Sequence, residues 1–503
     1  MEKYSSIMKA LKKIEVDFPV NEWKIDGVEI WPILRVSAQL INSKDNNEYG
    51  KNKRNILKRT YGKICSFLSI IRDKALYKYI YFKDYSHNDY ISEQRDIFFL
   101  SYSVYRKAKL DGKYYFTEIF PFLNVIDNPS YVIFESTITD TWKLPRYNKS
   151  IFLQNDIWFD LFCNKLRNFV NHKYLNQEIY CPLCDELYQF LDKTNVSILP
   201  ISEVACQINL LKVYEKYFTK KLQVVKPKLV VVEWYYGLEG FALILAAKKM
   251  GIPTADLQHG NQDSEHYAYG LWPAESKGYQ LLPDYFLVWG MREKRNIQKW
   301  NTCCVDKHIP LITGYPWIDL WKNKKIPMGF EKEFKKLEAV KDSRCQSHIL
   351  FSMDYEMPCE NVIKLIQSSP PEWQWWIRMH PVMLHHWNEF GQLFEQKLLG
   401  CNANWKEASS CPLPALLSFI DLNITYGSTI AILCDEWRIP SIAEDSKVLE
   451  GTAEGESLIL IYKLDLLKIS DVSEILEGKK NIGVVYSRED DYNDLSLIKS
   501  VIE

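Results

Sequence analysis

The chain repeats one pattern: a short apolar segment, a helix, and another short apolar segment. The clearest case is KLVVVEW (228–234), then FALILAAKKM, which stops at Gly251, then IPTADLQHG (252–260). Short continuous apolar runs are typical of strands buried on both faces, and parallel strands need a crossover connection such as a helix. The pattern therefore predicts an α/β fold, with helices on both faces of a parallel sheet.

The pattern occurs in two blocks. The further strand candidates of the first block are DIFFLSYS (96–103), YVIFES (131–136), IFLQNDIWF (151–159), DYFLVWG (284–290) and IPLITG (309–314). After a charged stretch at 322–345, the second block offers HILFSMD (348–354), WQWWIRMHP (373–381), DLNITYG (421–427), PSIAED (440–445) and SLILIY (457–462). We predict two Rossmann-like domains facing a cleft, at 96–322 and 345–480, with an N-terminal helical extension (1–95) and a C-terminal tail or helix (481–503).

The composition narrows the classes of function. Apolar residues make up 47% and charged residues 25% of the 503 residues, which is typical of globular proteins. The net charge of -1 provides no basic field of the kind that general nucleic-acid binders have, so we expect no nucleic-acid partner. Neither block contains a GxGxxG or P-loop motif, which argues against dinucleotide binding and ATP hydrolysis. We found no apolar run of transmembrane length and no signal-peptide pattern, so a cytoplasmic location is expected.

Residues 51–80 differ in composition from the rest of the chain. They contain nine basic residues and a single acidic residue, Asp73, with apolar residues between them. This pattern predicts a basic amphipathic helix or helix pair that binds an anionic membrane surface, so the protein would be peripheral at the inner face of the membrane. Alternatively, the apolar residues pack against the protein itself and the lysines are merely solvated.

The twelve cysteines are scattered along the chain and are expected to be reduced. Cys181 and Cys184 have the spacing of half a zinc site, but no second pair follows, so their role stays open. Aromatic residues make up 14% of the chain, and they either fill the core or line a groove that binds a sugar or a nucleotide.

Four candidate catalytic residues lie at strand ends of the first block: Glu233, Glu239, Asp256 and His259. Ligands of doubly wound sheets bind beyond the carboxyl ends of the strands, where these carboxylates and this imidazole could exchange protons with a substrate. The structural alternatives are a carboxylate near a helix N-terminus for Glu233 and a hydrogen-bonded core imidazole for His259.

The second block offers candidate donor-binding residues: Arg378, His380, Pro381, Gly427, Ser428, Thr429 and Glu436. Amides and hydroxyls at the start of the helix after Gly427 would hold a phosphate, and His380 would neutralise a second phosphate oxygen. Ser428 is alternatively a plain helix N-cap. Glu436 is either a surface charge or an acceptor for a ribose hydroxyl.

Four motifs together resemble a known group of enzymes: LQHGN, GYPWID, RMHP and DLNITYGST…DEWRIPSIA. They are similar to GT-B glycosyltransferases of bacterial capsule and lipopolysaccharide biosynthesis, in the branch of Kdo transferases, His-Pro-motif sialyltransferases and teichoic-acid polymerases. The resemblance covers about 228–445 and implies that His380, Ser428 and Thr429 contact the donor phosphate. The acidic motif of the sialyltransferases is not present as such, and EWYYGLEG is a loose substitute.

The resemblance implies transfer of a sugar from a nucleotide-activated donor, with a CMP-sugar such as CMP-Kdo favoured, to a growing bacterial surface glycan or lipid-linked glycan. We found no acidic pair after a central strand, so the reaction is expected to need neither a metal nor a cofactor. Glu233 or His259 would be the general base of an inverting reaction, and Glu233, Glu239 or Asp256 the nucleophile of a retaining one. A non-hydrolysing sugar-nucleotide 2-epimerase and a non-catalytic assembly scaffold stay open as alternatives.

Overall fold

The computed structural model describes residues 2–43, 93–137, 143–171, 177–194, 196–264, 266–273, 277–321, 326–354, 357–445, 458–479 and 494–502. The predicted basic segment 51–80 lies outside these residues.

The strands are, in chain order, β1 Lys24–Ile25, β2 Val28–Glu29, β3 Ile97–Tyr102, β4 Ala108–Leu110, β5 Lys113–Tyr115, β6 Tyr131–Ser136, β7 Ile151–Phe152, β8 Ile179–Tyr180, β9 Leu229–Val232, β10 Thr254–Leu257, β11 Tyr285–Val288, β12 Ile309–Ile312, β13 Ser347–Ser352, β14 Trp373–Arg378, β15 Ala403–Asn404, β16 Leu422–Thr425, β17 Ser441–Ala443 and β18 Ile459–Ile461.

The α-helices span Glu2–Asp17, Trp31–Ser43, Ile119–Val125, Leu153–Asn171, Cys184–Thr194, Ile201–Val225, Leu238–Lys249, Met291–Gln298, Pro316–Asp319, Glu331–Val340, Glu360–Gln367, Trp387–Lys397, Lys406–Ser410, Leu413–Leu417, Ile430–Glu436, Ile469–Lys479 and Leu495–Ile502.

Two parallel sheets organise the chain. The first has the order β12-β11-β10-β9-β3-β6-β7 and the second has the order β15-β14-β13-β16-β17-β18. In each sheet the first strand is internal and the direction of growth reverses next to it, between β3 and β9 and between β13 and β16. This is the doubly wound arrangement, which binds ligands at the point of reversal. The prediction of two Rossmann-like domains is confirmed.

Burial on both faces explains why the strands could be recognised in the sequence. All four residues of β9, Leu-Val-Val-Val, are buried, and so is Gly240–Ala247 of the following helix. A strand covered by helices on both sides shows a continuous apolar run instead of alternation. The strands of the two sheets fall within the predicted ranges 96–322 and 345–480, whereas the domain boundaries themselves stay a prediction.

The predicted strand at 151–159 is wrong for most of its length. Only Ile151–Phe152 is a strand, and the helix Leu153–Asn171 follows at once. Leu153 and Ile157 are both fully buried, and their spacing of four residues places them on one helical face. The apolar residues of this segment therefore follow the helical period.

The N-terminal extension packs on the segment that follows the LQHGN motif. Arg35 is fully buried and lies 2.8 Å from the Glu15 carboxylate. Its guanidinium also donates to the Gly270 carbonyl at 2.8 Å and stacks over the Trp272 ring at 4.3 Å. Because a buried guanidinium needs all of these partners, the extension and the 266–272 segment are held together.

The two sheet domains share a buried apolar cluster, which includes Trp317 and Trp321 from the first and Leu350 and Trp376 from the second. The last helix, Leu495–Ile502, returns to the first sheet. Just before it, the Asp494 carboxylate accepts hydrogen bonds from Lys294 and from the Ile312 amide, each at 2.8 Å. Among the helices of the described ranges, none has both the length and the apolar character needed to cross a membrane.

Candidate active site

Glu233 occupies the point of reversal in the first sheet. It follows β9 directly, and its amide donates to the Leu100 carbonyl of neighbouring β3 at 3.0 Å. The carboxyl group is fully buried, and Ser101 on β3 donates a hydrogen bond to Oε2. Burial, and then the nearby charge of Glu118, raise the pKa of Glu233 well above its ordinary value. Burial therefore favours the protonated form of this carboxyl group over the ionised form.

The turn after Glu233 is tight and strained. Trp234 adopts φ +70°, in the left-handed region that costs a non-glycine residue roughly 1–2 kcal/mol. Gly240 is required, since a Cβ there would lie 2.4 Å from the Tyr235 carbonyl oxygen. Strained backbone of this kind is concentrated at functional sites.

Lys107 is the central cation of this region, and the sequence analysis did not single it out. Its ammonium lies 2.7 Å from Glu118 Oε1 and donates to the His259 carbonyl at 3.1 Å. Glu118 also accepts a hydrogen bond from Thr117 at 2.6 Å. The Lys107 side chain is 32% exposed, so the ammonium is accessible to a ligand. Its place in the loop after β3, the first strand of a doubly wound sheet, is the signal that could have identified it.

His259 lies beside Lys107, with its ring centroid 4.7 Å from that of Tyr105. Burial, and then the charge of Lys107, lower the pKa of His259 to about 3. The imidazole is therefore neutral at physiological pH and a weak base. Its Nδ1 is buried and has no hydrogen-bond partner among the described residues.

The other two predicted catalytic carboxylates are engaged by the protein. Asp256 lies within β10 and accepts hydrogen bonds from the Tyr235 amide at 3.2 Å and the Tyr269 hydroxyl at 2.9 Å. Burial raises the pKa of Asp256 to about 8. Glu239 accepts hydrogen bonds from Tyr214 and from Ser136, and burial raises its pKa. Of the four candidates, Glu233 and His259 are the two that lie around Lys107.

In the second sheet, Gly427 lies at the point of reversal between β13 and β16. A Cβ at Gly427 would lie 2.9 Å from the Asp445 Cβ and 3.6 Å from an Asp354 carboxylate oxygen. The position therefore has no room for a side chain. Carboxylate oxygens accept hydrogen bonds from hydroxyl groups, so this end of the sheet suits the ribose of a nucleotide.

Ser428 acts locally as a cap. Its hydroxyl accepts a hydrogen bond from the Ile430 amide at 3.4 Å, and its own amide donates to the Thr425 hydroxyl at 3.1 Å. Thr429 is half-buried next to it. The following helix, Ile430–Glu436, has only seven residues, so its dipole adds little to the predicted phosphate cradle. The side chain of Glu436 lies outside the described part of the chain.

Arg378 and His380 end β14 and have different surroundings. Arg378 Nη1 donates to the carbonyls of Ala408 at 2.5 Å and Cys411 at 3.0 Å, so this part of its guanidinium holds the neighbouring loop. His380 is half-buried, and burial, then the charge of Lys107, lower its pKa to about 4. The charge of Lys107, which belongs to the first domain, therefore acts on His380 in the second domain. Pro381 begins a 3-10 turn, Pro381–His386, and its side chain is not among those described.

Within the described ranges, no group of three or more His, Cys, Asp or Glu side chains is arranged to hold a metal ion. The Cys181 and Cys184 thiols are hydrogen-bonded to each other, and burial raises the pKa of both. The expected metal independence stays a prediction, because this geometry does not test it.

No family model and no curated protein matches the chain. Among solved structures it is similar to UDP-GlcNAc 2-epimerase from Neisseria meningitidis bound to UDP-GlcNAc, with 14% identity, 81% of this chain and 99% of that chain covered, and a TM-score of 0.48. It is also similar to the wall teichoic acid polymerase TagF (11% identity, 89% and 96% covered, TM-score 0.42). A third is the glycotransferase of kitacinnamycin (10% identity, 81% and 95% covered, TM-score 0.39). Function is therefore argued from the residues of this chain.

Proposed function

We propose that this protein is a glycosyltransferase that moves a sugar from a nucleotide-activated donor to an acceptor hydroxyl in the cleft between its two sheet domains. The observation that carries the proposal is that Lys107 interacts with groups of both domains. Its ammonium donates to the His259 carbonyl, and its charge acts on the pKa of Glu233 in the first domain and of His380 in the second. A cation between a proton acceptor and a candidate phosphate-binding histidine suits sugar transfer from a phosphate leaving group.

Glu233 is the general base in this proposal. Because burial raises the pKa of Glu233, its ionised form is a stronger base than an ordinary carboxylate, whereas His259 with a pKa of about 3 is a weak base. In the ionised form, Glu233 takes the proton of the acceptor hydroxyl while the hydroxyl oxygen bonds to the anomeric carbon. The bond from that carbon to the phosphate oxygen breaks, and the departing nucleotide keeps the electron pair. Such a reaction inverts the anomeric centre.

Lys107 and His380 would stabilise the departing phosphate. The Lys107 ammonium is accessible, and a phosphate dianion beside His380 would raise the pKa of that imidazole and favour its charged form. Charge-assisted hydrogen bonds to phosphate are roughly twice as strong as those between neutral groups. These two groups would supply in the cleft the positive charge that a divalent cation supplies in other enzymes.

Two finer assignments rest on the sequence resemblance: a CMP-sugar donor such as CMP-Kdo, and a growing capsule or lipopolysaccharide glycan as acceptor. A third, contact of 51–80 with an anionic membrane surface, rests on the basic amphipathic composition of that segment.

The test is product analysis with CMP-, CDP-, UDP- and GDP-sugars, each with and without a glycan acceptor. The proposal expects nucleotide release that depends on the acceptor. Conversion of a sugar nucleotide without any acceptor would instead identify a 2-epimerase. Failure to bind any of the four nucleotides in a thermal-shift assay would favour the non-catalytic scaffold.

A further inference from the structure

Four buried polar atoms around Glu233 have no hydrogen-bond partner among the described residues: Tyr102 Oη, Glu233 Oε1, Trp234 Nε1 and His259 Nδ1. An unsatisfied buried polar group is costly, and native proteins contain few of them. The Trp234 indole nitrogen can only donate, and the Tyr102 hydroxyl can donate and accept. Glu233 Oε1 accepts when the carboxyl is ionised, and His259 Nδ1 accepts when the neutral imidazole carries its proton on the other nitrogen. A ligand that satisfies all four must therefore both donate and accept hydrogen bonds.

These atoms belong to one continuous group of aromatic rings. Ring centroids are 5.0 Å apart for Tyr102 and Trp234, and 5.7 Å apart for Trp234 and Tyr236. His259 is 6.5 Å from Tyr236 and 4.7 Å from Tyr105, which is 6.2 Å from Tyr102. The five rings form a closed circuit of contacts at the carboxyl end of the first sheet, and we call it the aromatic circuit.

The residues of the aromatic circuit differ in exposure. Tyr102 is only 2% exposed, whereas the other four residues are half-buried. Gly237 packs closely against the buried side, since a Cβ there would lie 3.0 Å from the Tyr102 hydroxyl and 3.9 Å from a Glu239 carboxylate oxygen. A ligand would therefore stack on the half-buried residues, and it would reach the four buried polar atoms when these side chains move.

We propose that the aromatic circuit is a saccharide subsite, in which a pyranose ring of the acceptor stacks on the aromatic faces and its hydroxyls satisfy the four polar atoms. This inference rests on the proposed function, because it places an acceptor hydroxyl beside Glu233. A sugar ring has apolar C–H faces that match aromatic rings, and hydroxyls that both donate and accept. A phosphate group fits poorly, since it lacks the donor that the neutral His259 Nδ1 requires and would lie near Glu239.

Two substitutions test the subsite by removing one polar group each while keeping an aromatic ring. Tyr102→Phe and Trp234→Phe each remove a polar group that has no partner in the described structure, so neither should lower the melting temperature through a lost hydrogen bond. Each should weaken saccharide binding about 3- to 10-fold, the effect expected for one neutral hydrogen bond. The matched control is Tyr217→Phe. The Tyr217 hydroxyl donates to Asp156 at 2.5 Å, so the control should lower stability and leave saccharide affinity unchanged.

The probes are methyl glycosides of hexoses, N-acetylhexosamines, 6-deoxyhexoses and Kdo, measured by saturation-transfer NMR on the full chain without a donor. We expect at least one glycoside to bind the wild type, with weaker binding in both test variants. No binding at millimolar concentrations, or equal binding by wild type and both variants, would overturn the subsite. If glycosides bind as expected but no donor supports transfer, the subsite stands and the proposed glycosyltransferase falls. If transfer occurs with an unchanged acceptor KM in both variants, the subsite falls and the transferase stands.

Discussion

Replacing Glu233 by Gln is the most direct test of the catalytic proposal. The amide keeps the size of the side chain, and its oxygen can still accept the hydrogen bond from Ser101. Because the carboxyl group is fully buried and its raised pKa favours the neutral form, a neutral amide should change the free energy of unfolding by no more than about 1 kcal/mol. The substitution therefore removes the base while retaining the fold.

The expected loss follows from the worth of a positioned general base, about 10²- to 10⁴-fold in rate. At about 1.4 kcal/mol per factor of ten, this equals about 2.8–5.6 kcal/mol of transition-state stabilisation. The measurement is kcat for a donor–acceptor pair that the product analysis identifies, together with the acceptor KM. We expect kcat to fall while the KM changes little.

The wild-type pH profile provides a second measurement. Proton uptake requires the ionised form of Glu233, so kcat/KM should rise with pH through the raised pKa of this group. The matched control is Glu215→Gln, at a carboxylate that forms a partly exposed pair with Lys249 at 2.6 Å. A Glu233→Gln variant with at least half of the wild-type kcat, or with the same rising limb in its pH profile, would refute the assignment.

Four further predictions follow from the site. Lys107→Met should lower kcat/KM for the donor about 10²-fold, because it removes the cation proposed to bind the departing phosphate. The control Lys109→Met removes a nearby lysine that lies over the Tyr114 ring and should leave kcat/KM unchanged; equal losses would contradict the phosphate role. His380→Ala should weaken nucleotide binding more than Ser428→Ala, because the Ser428 hydroxyl already accepts a hydrogen bond from the Ile430 amide. Calorimetry with the nucleotide alone measures both affinities. Activity should survive EDTA, and a complete loss restored by Mg²⁺ would contradict metal independence. As pH rises from about 4 towards 8, the melting temperature should fall less for Asp256→Asn than for the wild type. In the folded wild type this group keeps its proton up to a pKa of about 8, above its unfolded value, so its contribution is present at low pH and lost as pH rises.

The sequence alone determined the two Rossmann-like domains and the strand ends where Glu233, His259 and His380 lie. The physical reason is burial: a parallel strand covered on both faces must be apolar throughout, so a polar residue at its end is conspicuous, as in LVVVE at β9. The helix after β9 could be recognised for the same reason, since Gly240–Ala247 is buried.

The tertiary structure alone decided which of these side chains act together. A strand buried on both faces gives no indication of which neighbours each residue meets, so the sequence could not show that Asp256 is bonded to Tyr235 and Tyr269 whereas Glu233 Oε1 has no partner among the described residues. The charge of Lys107 lowers the pKa of a histidine some 270 positions later in the chain, and no local pattern encodes that interaction. The aromatic circuit likewise combines residues from β3, the turn after β9 and the loop after β10, because the carboxyl ends of parallel strands meet at one edge of the sheet.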